Sequence, residues 1–357
     1  MRAMHLDHML LISIGLLMAV GLGVLYSAGD QSMELINRQL TRIALALIVM
    51  LVIAQIPSST LRFWSPWMYA IGVVLLLLVL LMGDVGKGAQ RWLDLGFVRF
   101  QPSEMMKLVT PMMIAWYFAE KPLPPSMGTL LTAVVLILVP TFLIARQPDL
   151  GTALLIFAAG FFVIFLGGMS WRLMIGLGVL GASLLPVLWH FMHDYQRGRV
   201  MTLLDPQSDP LGAGYHIIQS QIAIGSGGIY GRGWLNGSQS HLNFLPEQST
   251  DFIFAVFAEE FGLLGGMVLL LLYGFIILRG LMIAILGQDT YARLLGGSLS
   301  LTFFVYLFVN VGMVSGILPV VGVPLPLISY GGTSMVTLMA GFGMLMSINS
   351  HRRLWSK

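Results

Sequence analysis

The chain is 357 residues long, 57% hydrophobic and only 10% charged, a balance that excludes an ordinary soluble domain and fits a polytopic membrane protein. Its formal net charge of +3 is spread over few groups, with no Lys/Arg tract carrying interleaved aromatics, so there is no basis for a nucleic-acid partner. Cysteine is absent, which excludes a disulfide framework and a thiolate metal site, while 41 Gly and 24 Met suit apolar helices packed closely through small residues.

Crossing a hydrocarbon core of about 30 Å takes about 20 apolar residues. In chain order, such runs are read at Met9–Tyr26, Leu40–Ile56 and Pro66–Met82; shorter ones follow at Met105–Phe118, Leu130–Ile144 and Thr152–Leu166, then a full one at Leu173–Trp189. After a long polar interval come Phe252–Leu278, Leu294–Leu318 and a shorter run at Met335–Ile348. The first run ends at Ser27-Ala28-Gly29 as a signal sequence would, but with so many later spans it is read as a retained helix. The expectation is an all-α polytopic membrane protein of about ten transmembrane helices forming one domain over 1–357, with a large extracytoplasmic loop at about 190–250 between helices 7 and 8. An even number of spans puts both termini on one side, and the tail His351-Arg352-Arg353-Leu354-Trp355-Ser356-Lys357 makes that side cytoplasmic. Lys and Arg divide almost evenly between the two sides, whereas most acids fall on or near the outer one.

Two outer loops stand out. Asp84–Gln101 joins polar groups to Trp92, Phe97 and Phe100, as a loop lying on the interface would. The interval from His190 to Thr250 is too long for an unstructured connection. Within it, Gly214–Ile224 has the spacing of an amphipathic helix on the membrane surface, and Ser226–Gly237 is rich in turn-forming Gly.

Several polar groups sit where a membrane disfavours them. Glu104 and Lys107 fall at i and i+3 on one face of PSEMMKLVTPMMIAWYF. A cation within a span costs about 2.5–3.5 kcal/mol, far more than the 0.2–0.5 kcal/mol or so such a pair returns in water. Lys107 is therefore either a snorkelling partner of Glu104 or a contact for an anionic ligand. Gln101-Pro102-Ser103-Glu104 and Gln147-Pro148-Asp149-Leu150-Gly151-Thr152 share one logic, with Gln-Pro ahead of a capping residue, and two helices begun this way aim their positive dipole ends at one outward site. Arg99, Arg146, Arg197, Arg199 and Arg232 add cations near that surface, where several should meet lipid headgroups.

The junction HLNFLPEQSTDFIFAVFAEEFG, His241–Gly262, runs a polar, Pro-containing segment into a long apolar helix. Asp251, followed by Phe252, Ile253 and Phe254, sits at the hydrocarbon boundary, where desolvation moves a carboxylate toward the range useful to a general base. Ser249, Thr250 and Asp251 are equally what a helix N-terminus wants as caps. Glu259 and Glu260 lie on other faces of that helix and are expected to hydrogen-bond to neighbouring helices. Gly322–Ser334, interrupted by Pro and Gly, must line a cavity or be buried in protein. There is no HExxH, Walker loop or GxSxG, so zinc hydrolysis, ATP use and serine hydrolysis lack support.

Together with GAQRW at 88–92, FQPSEMMKL at 100–108, QPDLGTA at 147–153, GWLNG at 233–237 and PLISYGGTSM at 326–335, this junction resembles the SEDS (shape, elongation, division, sporulation) family over nearly the whole chain, and is most similar to its RodA, rod-elongating branch. The resemblance implies a ten-helix peptidoglycan glycosyltransferase of the bacterial cytoplasmic (inner) membrane. Such an enzyme polymerises lipid II, an undecaprenyl-pyrophosphate-linked disaccharide peptide, on the extracytoplasmic side, beside a class B penicillin-binding transpeptidase and the elongation machinery. It places the essential aspartate at Asp251 and substrate-binding positions at Glu104, Lys107 and Asp149, with Arg99 and Gln101 as further substrate contacts. A GlcNAc 4-hydroxyl attacking the MurNAc anomeric carbon with inversion needs one base and charge neutralisation at the departing pyrophosphate. A divalent cation, Mg or Mn, could assist, although no dedicated ligand cluster is visible. A lipid II flippase and a non-catalytic scaffold for the transpeptidase are the competing readings.

Overall fold

The computed structural model describes residues 6–86, 89–94, 99–191, 194–208, 212–237 and 247–350. The tail 351–357, used above for orientation, the stretch 238–246 of the junction, and residues 87–88 and 95–98 of the first loop lie outside the described residues, as does the side chain of Arg99.

Three helices open the chain: α1 (His8–Ala28), α2 (Met33–Ala54) and α3 (Ser58–Met82). The last two begin well before their apolar runs. In α2 the reason is local: Ser32 accepts from the Leu35 N–H, and Glu34 pairs with Arg38 one turn on, so polar residues extend the helix beyond the hydrocarbon stretch. The first outer loop departs from the all-α expectation by folding into an antiparallel sheet of β1 (Asp84–Gly86), β2 (Ala89–Asp94) and β3 (Arg99–Phe100), in which Val85 faces Gln90 and Leu93 faces Phe100. Next come α4 (Pro102–Ala119), α5 (Met127–Arg146), α6 (Leu150–Leu166) and α7 (Trp171–Phe191). The long loop contributes α8 (Asp194–Leu204), a 3-10 turn (Pro206–Ser208) and α9 (Ala213–Gly227), and the chain closes with α10 (Ile253–Ile285), α11 (Thr290–Val314) and α12 (Thr333–Ser350).

Among the described residues six helices, α1, α2, α3, α5, α10 and α11, are long and apolar enough to cross a membrane. Helices α4 and α12 are interior: α4, α6 and α11 pack against one another, α12 lies along α2, and α1 along α10. Being enclosed by protein lets α4 carry Glu104 and Lys107. The apolar side of α9 covers protein rather than lipid alone, since Ile217 and Ala223 are buried and Ser220 Oγ donates to the Val314 carbonyl at 2.8 Å.

Helix α10, expected as unbroken from Phe252, is broken at Gly262, whose φ of 65° and ψ of −164° are not helical. Residues 228–233 lie alongside the break. The Leu263 and Leu264 N–H groups donate to the Gly228 and Ile229 carbonyls (2.9 and 3.1 Å), and the Arg232 and Gly233 N–H groups donate to the Glu259 and Glu260 carbonyls (both 3.0 Å). Irregular backbone within an apolar helix is tolerated where protein satisfies it in this way. Glu259 and Glu260, fully buried, fasten the same loop. Glu260 accepts from Ser27 Oγ of α1 and from the Leu235 N–H at 3.2 Å, while Glu259 accepts from Ser226 Oγ at 3.4 Å and lies 3.7 Å from Arg232. Their buried hydrogen bonding was expected; the loop as main partner was not.

Candidate active site

Asp251 precedes α10 by two residues. The N-cap position falls on Phe252, which has no capping side chain, so Asp251 does not occupy the cap. What fixes it is its backbone and that of its two predecessors. Three successive carbonyls accept hydrogen bonds: Ser249 from the Tyr330 N–H at 2.9 Å, Thr250 from Ser329 Oγ at 2.6 Å and Asp251 from Asn310 Nδ2 at 2.9 Å. The donors come from α11 and from the interrupted segment 322–334, which thereby has a structural task. Asn310, fully buried, also donates to the Val323 carbonyl at 2.8 Å, and Tyr273 Oη donates to Pro326 at 2.6 Å, tying the segment to α11 and α10. Helix α1 approaches it so closely at Gly21 that a Cβ there would stand 2.9 Å from Ile328 Cα. The Asp251 side chain is half-buried, with Oδ2 3.5 Å from where a Cβ on Gly322 would lie.

Lys107 donates to Glu104 Oε1 at 2.6 Å, and both are buried, so the lysine does not snorkel. Its Nζ also lies 5.3 Å from the Tyr306 ring centroid. Tyr306 and Asn310 are one turn apart on α11, so a single helix face, with about 5–6 Å between neighbouring Cβ atoms, leads from Lys107 to the backbone of Asp251. The start of α6 approaches from another side. Asp149 caps it, accepting from the Thr152 N–H at 3.3 Å, and its other oxygen lies 3.5 Å from both Gln101 Nε2 and Arg91 Nε. A Cβ on Gly151 would stand 2.9 Å from the Val321 carbonyl, next to the glycine that faces Asp251. The two Gln-Pro starts therefore do converge, through Gln101 and Asp149.

A cavity of about 400 Å³ opens between α2, α4 and α12, with Arg42, Phe100, Gln101, Glu104, Leu108 and Thr333 on its walls. Its lining combines polar groups with an apolar wall; Asp251 is not part of it. Glu104 Oε2 has no hydrogen-bond partner among the described residues. Three of the outer arginines have partners elsewhere. Arg146 lies over the Phe142 ring at 5.0 Å, Arg197 donates to the Trp189 and His190 carbonyls, and Arg232 goes to Glu259. Sequence reasoning missed Gln39, Arg42, Arg91, Tyr306, Asn310 and Tyr330. Arg42 and Asn310 carried a signal, each being a polar side chain inside an apolar run. Among the described residues, no three His, Asp or Glu side chains are grouped as metal ligands.

A sequence model of the family described as Cell cycle protein (FtsW, RodA, SpoVE) matches residues 1–354. The chain is 57% identical over 355 residues to peptidoglycan glycosyltransferase MrdB of Escherichia coli K12, covering 99% of this chain and 96% of that protein. It is 33% identical to peptidoglycan glycosyltransferase RodA of Treponema pallidum (strain Nichols), covering 97% and 98%. Among solved structures, it superposes with a TM-score of 0.85 and 30% identity on a chain described under structural coordination of polymerization and crosslinking by a peptidoglycan synthase complex, covering 97% and 99%. It also matches the rod shape determining protein RodA of Thermus thermophilus with a TM-score of 0.72 and 28% identity, covering 96% of each.

Proposed function

Because the chain belongs to the FtsW/RodA/SpoVE family, we propose that it is a peptidoglycan glycosyltransferase of the RodA branch that polymerises lipid II in the inner membrane, with Asp251 as its general base. The observation that supports this reading is the threefold backbone anchoring of residues 249–251, which fixes the backbone beneath a half-buried carboxylate. Ordinary helix capping needs none of those bonds.

In the reaction, the acceptor sugar hydroxyl attacks the anomeric carbon of the donor, the carbon–oxygen bond to the pyrophosphate breaks, and the hydroxyl proton passes to the Asp251 carboxylate. A base in this role contributes about 10²–10⁴ in rate. Undecaprenyl pyrophosphate departs as an anion, so the site must neutralise charge more than protonate a leaving group. Lys107 provides a cation, and the starts of α4 and α6 provide oriented N–H groups. Glu104 and Asp149 hold Lys107, Arg91 and Gln101 in place and bind substrate with them, and Arg99 is a further substrate contact.

As a single domain, helices α1–α7 and α10–α12 make ten spans, with both termini cytoplasmic and residues 190–250 as the extracytoplasmic loop between the seventh and eighth. The polar groups then gather at the outer end of the bundle, which suits one-sided chemistry better than alternating access. The partner is a class B penicillin-binding transpeptidase within the elongation machinery. The test is conversion of labelled lipid II by the purified chain with that partner. Glycan strands with release of undecaprenyl pyrophosphate are expected; lipid II that crosses the bilayer intact, or stays inert, contradicts the reading.

A further inference from the structure

Helix α2 supplies no group to the chemistry above, yet two of its residues, three apart, hold the segment that grips the base. Gln39 is 2% exposed, and its Nε2 donates to the Ser329 carbonyl at 3.4 Å. The Arg42 guanidinium lies 4.1 Å from the centroid of the Tyr330 ring. Ser329 and Tyr330 are the residues that bond the Thr250 and Ser249 carbonyls. A single pair of residues therefore separates α2 from the peptide units that carry Asp251.

Arg42 stands two residues inside the apolar run of α2 that starts at Leu40, at the edge of the hydrocarbon stretch, and is half-buried. Among the described residues it has no carboxylate partner; the Tyr330 ring receives it instead, in the cation–π arrangement that gains strength when desolvated. Arg42 also lines the 400 Å³ cavity, which by itself would fit direct contact with an anionic ligand. Gln39 decides between the two roles. It does not line that cavity, shares a helix face with Arg42, and converges with it on residues 329–330.

We propose that Gln39 and Arg42 are positioning residues that act through Ser329 and Tyr330 to fix the backbone bearing Asp251. The inference rests on Asp251 being the base. A displacement of about 1 Å at a reacting group costs about 10² in rate. In lipid II polymerisation by the full chain with its transpeptidase, Arg42→Ala is expected to lower kcat by about 10- to 100-fold with KM within about twofold, and Arg42→Lys to recover part of the loss. Tyr330→Leu should behave like Arg42→Ala, and the double variant should be no worse than either alone. A raised KM at unchanged kcat, or multiplying losses in the double variant, would overturn the proposal.

The chain has no cysteine, so Asp251→Cys introduces its only thiol. A nitroxide attached there should become more mobile when Arg42→Ala or Gln39→Ala is added, and an unchanged spectrum overturns the proposal. This readout needs no turnover. It still decides the point if the wild-type chain makes no polymer, a result that would instead sink the functional reading.

Discussion

Replacing Lys107 by Met removes one half of a buried ion pair and leaves the other. The lysine side chain is 5% exposed and that of Glu104 12%, with 2.6 Å between Nζ and Oε1. Leaving such a carboxylate uncompensated costs about 3–5 kcal/mol, and Glu104 already has one oxygen unpartnered among the described residues. Lys107→Met should therefore lower the thermal unfolding temperature in detergent sharply. Adding Glu104→Gln removes the stranded charge and should recover most of that stability, short of the 1–3 kcal/mol or so that an imperfectly bonded buried amide costs. Lipid II polymerisation, run below both unfolding temperatures, should not recover in the double variant if the ammonium neutralises the departing pyrophosphate, since losing one such stabilising group costs about 10²–10³ in rate. Polymerisation restored together with stability would refute the reasoning and leave the pair as structural glue.

Other variants probe the frame around the site. Gly262→Ala forces a side chain into φ 65° and against the Ile229 carbonyl, at 2.7 Å. With about 1–2 kcal/mol of backbone strain plus overpacking it should lower thermal stability clearly, and an unchanged melting curve would contradict the described break in α10. Asp149→Ala removes the α6 cap, worth about 1 kcal/mol, whereas Asp149→Asn keeps an acceptor for Thr152. Asn should thus restore the unfolding temperature but not polymer yield; restoring both would reduce Asp149 to a cap. Asp7, buried, caps α1 by accepting from the Leu10 N–H (2.9 Å) and accepts from Arg279 (3.2 and 2.6 Å) and Asn349 (2.8 Å), and Asp7→Ala should cost about 2 kcal/mol through the lost cap and the lost charge-assisted bonds to the partly exposed Arg279, while leaving kcat unaltered at permissive temperature. A melting temperature equal to that of the wild type would contradict it.

What the sequence disclosed was governed by local geometry. The i,i+3 placement of Glu104 and Lys107 follows from helix periodicity alone, and the start of α6 follows from capping by Asp149, whereas α4 starts on Pro102 with no capping side chain at Gln101. The α9 helix was also visible as periodicity, although its apolar side faces α10 and α11. The break at Gly262 was hidden because its cause is remote: in GLLGG a glycine reads as a packing residue, and the groups that satisfy the broken ladder lie some thirty positions upstream, at 228–233. The sheet at 84–100 was missed for the same reason, as its strands are short and acquire meaning only when paired. Arg42 and Asn310 gave the signal that exposed Lys107. Both passed as parts of apolar runs, Leu40–Ile56 and Leu294–Leu318, because neither has a charged neighbour of complementary chemistry within a turn, as Lys107 has in Glu104.

The central claim is that Asp251 accepts a proton from the attacking sugar hydroxyl. Asp251→Asn preserves the shape of the side chain and the backbone bonds to Asn310, Ser329 and Tyr330, and removes only the basicity. Assayed with labelled lipid II and the transpeptidase partner, this variant should unfold at the wild-type temperature, bind lipid II with unchanged affinity and polymerise it at least about 10²-fold more slowly. Polymer formed at a near wild-type rate would contradict the account.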